Sequence, residues 1–153
     1  MSLRDLLWED MKRAMKEREA GKLKVSVIRM TRAAIKNAEI DRGHELSDEE
    51  TVEVLAREVK LRRDAIPEYE KANREDFVRT LESEISILME YLPQQLSEDE
   101  IRALAREAVQ SVGARDQKDM GKVMSALMPK VKGRADGRLV NQIVREELTR
   151  GPA

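Results

Sequence analysis

Three times in this 153-residue chain a serine precedes an acid by three residues, just ahead of an amphipathic run: Ser2 and Asp5, Ser47 and Glu50, Ser97 and Glu100. In such a box the serine oxygen accepts from the amide three residues on, and the acid accepts from the serine's own amide. Two of the donors that every helix start leaves orphaned are thereby satisfied. Each box fixes where a helix begins, and each is followed by apolar residues at a period near 3.6 rather than 2. The chain is therefore constrained to an all-α fold.

The apolar stripes supply the remaining helices. In the first, Leu3, Leu6, Leu7, Met11, Ala14 and Met15 share a face, and Gly21 is expected to end it. The single Trp, Trp8, reads as core or subunit packing rather than ligand stacking. A second helix covers about residues 23–41, with Leu23, Val27, Met30, Ala34 and Ala38 as its stripe, Thr31 and Ile35 beside it, and Arg29, Arg32 and Lys36 as a modest basic face. The third uses Val52, Leu55, Val59 and Ile66, and a kink or early end is expected at Pro67, which lacks an amide and clashes with the preceding turn. The fourth carries Phe77, Leu81, Ile85, Leu88 and Leu92 and closes at Pro93.

Residues 92–96 form a polar, proline-containing boundary. Beyond it, Ile101, Leu104, Ala108 and Val112 mark a fifth helix that Gly113 terminates. A sixth, with Asp116 as cap and Met120, Val123, Met124 and Leu127 facing inward, is expected to stop at Pro129. Asp136 caps a seventh, whose inner residues are Leu139, Val140, Ile143, Val144 and Leu148. The expected architecture is an N-terminal helical bundle or pair of hairpins, residues 1–93, followed by a small three-helix domain, residues 97–150.

Composition narrows the chemistry. The absence of cysteine excludes disulfides and thiolate chemistry, and a lone histidine, His44, gives a zinc site or a Ser–His–Asp triad little to build on. No metal and no cofactor are expected. Neither phosphate-cradling glycine motif occurs. Glu49–Glu50 and Glu146–Glu147 read as dipole-complementing or solvated charges, and no serine has a recognisable base nearby in sequence. No catalytic residue is named. Nothing approaches an 18-residue apolar run, so a soluble cytoplasmic protein with no membrane association is expected.

The net charge of −1 hides an asymmetry. Residues 41–100 hold eight basic and eighteen acidic side chains, whereas residues 101–153 hold eleven and six. Within the latter, Lys118, Lys122, Lys130, Lys132, Arg134 and Arg138 face only Asp119 and Asp136 between positions 118 and 138. Such a concentration at a turn can attract a polyanion. Gly121 falls inside a helix, where glycine costs about 0.5–1 kcal/mol relative to alanine. Close packing against a neighbouring helix is the first explanation, and room for a ligand backbone the second. Gly133 and Gly137 flank Arg134-Ala135-Asp136 and are expected to serve turn geometry with positive φ. Asp136 at the cap argues against phosphate seated directly on that helix end, leaving the basic side chains as the contact groups.

Particular stretches carry a resemblance. They are Ser26-Val27-Ile28-Arg29-Met30, Asn37-Ala38-Glu39-Ile40, Arg62-Arg63-Asp64, Glu68-Tyr69-Glu70-Lys71-Ala72 and Tyr91-Leu92-Pro93-Gln94-Gln95-Leu96-Ser97. Most specific is the run Asp119-Met120-Gly121-Lys122-Val123-Met124, continued by Lys132-Gly133-Arg134-Ala135-Asp136 and Leu139-Val140-Asn141. With these the chain resembles the GatB/YqeY family, in its stand-alone YqeY-like form, and is similar to the C-terminal tail of the B subunit of the tRNA-dependent amidotransferase. The resemblance implies an all-α fold, tRNA as partner, and association with amidotransferase or aminoacyl-tRNA synthetase subunits, without DNA specificity. It also implies the family label of a carbon–nitrogen ligase with glutamine as amido donor, although the residues offer no self-sufficient active site for amidation of misacylated tRNA. Together these readings make the chain a tRNA-binding or amidotransferase-related accessory module. Lys122, Lys130, Lys132, Arg134 and Arg138 are the expected backbone contacts, Asn141 a polar reader, and Gly121, Met124, Gly133 and Asp136 the structural motif. The competing reading is a protein-interaction module whose basic turn meets an acidic partner.

Overall fold

A computed structural model describes residues 1–150 of the chain. Among them there are seven α-helices and no strand: α1 (Leu3–Lys16), α2 (Lys22–Arg42), α3 (Asp48–Lys71), α4 (Glu75–Met89), α5 (Glu98–Val112), α6 (Met120–Val131) and α7 (Gly137–Arg150). Single 3₁₀ turns at Arg18–Gly21 and Gln117–Asp119 precede α2 and α6. The boxes at Ser2 and Ser47 close in both directions, with bonds of 3.1 and 3.3 Å in the first and 3.2 and 3.0 Å in the second. The third is half-formed: Ser97 Oγ accepts from the Glu100 amide, but the Glu100 carboxylate takes the serine hydroxyl as its donor.

Several helix ends and faces differ from the sequence reading. Helix α1 ends at Lys16, and Arg18, at φ +53°, makes the reversal before Gly21 is reached. Gly21 instead caps α2 from a buried position, where a Cβ would lie 1.9 Å from the Ala14 carbonyl oxygen. Helix α3 runs through Pro67 to Lys71, and α6 runs through Pro129 to Val131. Both prolines are exposed and close to a helix end, so the carbonyl that loses its donor lies toward water. Past Pro129 the ladder resumes, with the Lys132 amide 2.9 Å from the Met128 carbonyl. On α2 the buried face keeps Val27, Thr31 and Ile35 and adds Ile28, while Met30 of the expected stripe is half exposed. Leu6, Met15 and Phe77 also stay at the surface.

Contacts divide the chain into two compact units, Met1–Leu92 and the part that begins at Pro93. The first packs α1–α4 around Leu7, Val27, Ile28, Ile35, Leu55 and Leu88. Tyr91, buried beyond the end of α4, donates to Asp10 of α1 at 2.6 Å; burial first, and that carboxylate second, push its phenol pKa up. Buried Arg62 pairs with Glu58 one turn back on α3 at 3.3 Å and ties α3 to α4 through Glu84 at 3.7 Å. The second unit packs α5, α6 and α7 around Ile101, Ala105, Val123, Leu127, Val140, Ile143 and Val144.

Candidate nucleic-acid interface

The second unit carries the basic segment. Pro93–Leu96 leads into α5, and three of its residues, Gln94, Gln95 and Leu96, grip the turn between α6 and α7. The Leu96 amide donates to the Arg134 carbonyl at 2.8 Å. Gln95 Nε2 donates to the Gly133 carbonyl at 3.0 Å, and Arg134 Nε donates to the Gln94 carbonyl at 3.2 Å. Gly133 is buried at φ +74°, the left-handed region where a Cβ is strained, so glycine is what lets the chain reverse here. Gly137 needs no positive φ and opens α7. Asp136 Oδ1 accepts from the Arg138 amide at 3.0 Å, so the cap carboxylate occupies that helix start as expected.

Around this pinned turn stand the exposed side chains of Lys130, Lys132 and Arg138. Arg134 is half-buried, and its Nε belongs to the clasp with Gln94. Lys122 is not part of the group. It lies in the first turn of α6, eight residues from Lys130 and so about 12 Å away along the helix axis. It does act on Asp119, whose carboxyl is held below its usual range first by the Arg115 amide and then by the Lys122 charge. Met124 is half-buried against the core. Gly121, also in the first turn of α6, is exposed, and a Cβ there would meet nothing within 4 Å. The packing explanation for this glycine therefore fails.

Asn141 lines a shallow hollow of about 540 Å³ with Arg138, Gln142, Arg145, Glu146, Thr149 and Arg150 along the outer face of α7. Arg145 lies outside the charge count between positions 118 and 138, which stops about two helical turns short of it. Its spacing from Arg138 and Asn141, seven and four residues, was the available signal.

The reading of Glu146–Glu147 as solvated or dipole-complementing charges is overturned for Glu147, while Glu146 stays exposed to solvent. Glu147 is buried, and its carboxylate bridges Arg102 at 2.9 Å and Arg106 at 3.0 Å, while Glu146 meets Arg102 at 2.7 Å. Burial acts to raise the Glu147 pKa, but the two guanidiniums outweigh it and hold the carboxyl below its usual range. The acids near the end of α7 therefore serve to fasten α5 to α7. They are held by guanidiniums and are poorly placed to act as an acid/base pair.

Among the described residues there is no group of three or more His, Cys, Asp or Glu side chains that could hold a metal ion, and no helix is long and apolar enough to cross a membrane. A curated relative, the "Altered inheritance of mitochondria protein 41, mitochondrial" of Lachancea thermotolerans, is 37% identical over 89 residues. That segment is 58% of this chain and 46% of the relative, so the chain spans less than half the relative's length. The Yqey-like protein family matches residues 4–148, which takes in both units and every stretch of the basic turn. By that match the chain belongs to the YqeY-like protein family.

Proposed function

We propose that the chain is a tRNA-binding accessory module of the kind that serves glutamine-dependent tRNA amidotransferases, with the α6–α7 turn as its contact surface. The observation that carries this reading is the pairing of exposed Lys130, Lys132 and Arg138 with a turn backbone pinned by Gln95 and Leu96. Cations on a fixed frame meet phosphates at little further entropic cost, because the backbone beneath them is already ordered. With aromatics at 3% of the chain and none in the second unit, recognition is by shape and phosphate contact rather than base stacking. Asn141 and Arg145 extend the surface along α7. Amide formation is assigned to partner subunits, since the acids of α7 are engaged structurally.

The test is retention of total tRNA by the purified chain across a salt series. The expected result is binding that weakens with salt at a log–log slope of about −0.7 to −0.9 per phosphate contact. Lys130→Glu/Lys132→Glu should weaken it at least tenfold. No binding at low salt would sink the reading and favour the alternative, an acidic protein surface as the partner of the same turn.

A further inference from the structure

The first unit holds a second cationic site that the tRNA reading does not use. A cleft of about 310 Å³ opens between α1 and α2, lined by Arg4, Trp8, Arg29, Arg32, Lys36 and Glu39 among others. Its cations outnumber its one carboxylate four to one. Glu39 is already engaged: it accepts from the Leu46 amide at 2.9 Å and pairs with Arg4 at 3.5 Å. Arg4 also reaches Glu45, at 3.5 Å.

The other three cations are different. Arg29, Arg32 and Lys36 follow one another at spacings of three and four on α2, where like charges repel and weaken the helix. Among the described residues no carboxylate lies within ion-pairing distance of any of them. Elsewhere in this unit Lys12, Arg13, Lys24, Arg42 and Arg62 each have one. The Arg32 guanidinium is held 4.2 Å from the centroid of the Trp8 ring, with a second contact to Met11 Sδ at 3.9 Å. The cleft therefore presents a pre-oriented guanidinium on an indole, flanked by the exposed charges of Arg29 and Lys36. A phosphate supplies the missing counter-charge, and a planar base can stack on a guanidinium plane or an indole.

We infer that the cleft formed by Trp8, Arg29, Arg32 and Lys36 is a nucleotide-phosphate site, distinct from the α6–α7 turn. The inference stands whether or not the turn binds tRNA. Trp8 is the chain's only Trp, so its emission reports this cleft alone. The experiment is titration of the full chain at low salt with a twelve-residue oligouridylate and, separately, with uridine 5′-monophosphate. Uncharged uridine serves as the control. A saturable change in Trp8 emission is expected with the oligomer. The log–log salt slope should be about −2, from three cations at −0.7 each. Arg29→Glu/Lys36→Glu should weaken this binding at least tenfold. Both positions are exposed, and Arg29→Gln/Lys36→Gln is the milder second variant if the first alters the melting curve. Lys130→Glu/Lys132→Glu should leave the Trp8 response intact, which separates this site from the turn. Saturation by the mononucleotide as well identifies a free nucleotide as ligand, and saturation by the oligomer alone identifies a polynucleotide backbone. The inference is overturned if neither phosphate ligand gives a saturable change, or if uridine matches them. A response that survives both α2 variants overturns it too.

Discussion

Two glycines, each exchanged for alanine, test the packing argument in opposite directions. At Gly21 the backbone is in the right-handed region (φ −95°, ψ −2°), which alanine adopts without strain. The exchange alone would stabilise the chain by about 0.4–1 kcal/mol through the unfolded state. The added Cβ, however, would stand 1.9 Å from the Ala14 carbonyl oxygen, 2.7 Å from its carbon and 2.9 Å from its Cα. Ordinary contact begins at 3.4 Å, so the two backbones must part by 3.4 − 1.9 = 1.5 Å. Neither can give easily, because the Ala14 oxygen accepts the Glu17 amide at the end of α1 and Gly21 opens α2. Overpacking of this kind costs about 3 kcal/mol at the upper end of its usual range. The net loss is about 2 kcal/mol, or about 8–16 °C in midpoint for a unit of this size.

Trp8 lies in the same unit, so urea unfolding followed by its emission reads the change where it occurs. Gly121→Ala is the counterpart. With open space around its Cβ and no positive φ, it should stabilise the second unit by about 0.5–1 kcal/mol, read by far-UV circular dichroism. It should leave the Trp8 transition unmoved. Wild-type stability in Gly21→Ala, within about 0.5 kcal/mol, would refute the steric reasoning. A destabilised Gly121→Ala would revive the packing explanation rejected above.

Other consequences are briefer. Glu147→Gln should cost the second unit about 2–3 kcal/mol; this is below the full penalty for breaking a buried pair because Arg102 keeps Glu146. A urea midpoint equal to wild type would contradict the fastening role. The Glu147 and Glu50 carboxyls both lie below their ordinary 4.5, Glu50 at about 2 through the Ser47 amide and Arg42, so at these two sites folded and unfolded chains differ in protonation only in acid. A depressed carboxylate stabilises fully above its unfolded value and ceases to as pH falls through its folded value. Midpoints should therefore stay level from pH 7 toward 5.5 and decline from 4.5 toward 2, and a midpoint rising over that last interval would count against both assignments. Tyr91→Phe removes the donor to Asp10 and should lower the first unit's stability by about 1.5 kcal/mol in the same Trp8 assay. Gln95→Ala should lower the second unit's stability by about 1 kcal/mol. It should also weaken tRNA retention though it removes no charge; unchanged retention would mean that cation density suffices without a fixed turn.

What could be read in the sequence was local. The caps at Ser2, Ser47, Ser97 and Asp136 act over two or three residues, and the stripes repeat within one helix, so all seven helices were legible. Prolines misled because the rule that stops a helix weakens near an exposed end, where water can satisfy the freed carbonyl, as at Pro67 and Pro129. Glycines misled because their two uses look alike on paper: Gly21 is required by a backbone seven residues back, while Gly121 touches nothing. Pairings between distant residues left no periodic trace. Glu147 meets Arg102 across 45 positions and Tyr91 meets Asp10 across 81.

The most instructive of these distant pairings joins two stretches that resemblance had marked separately, Tyr91–Ser97 and Lys132–Asp136. The first looked like a linker and the second like a charged loop. Three hydrogen bonds, from Leu96, Gln95 and Arg134, make them one clasp. Four functions fall to neighbours on one turn. Gly133 permits the reversal, Gln95 and Leu96 hold it, Arg134 returns its own guanidinium to the linker, and Lys130, Lys132 and Arg138 face outward. A charge count treats Arg134 and Lys130 as equals, but the geometry does not. Charge reversal at exposed Lys130 should subtract from tRNA binding with the fold intact, whereas Arg134→Glu should also lower the second unit's melting temperature. If the two variants melted alike, the division between holding residues and contacting residues would fall, and the turn would be only a basic loop.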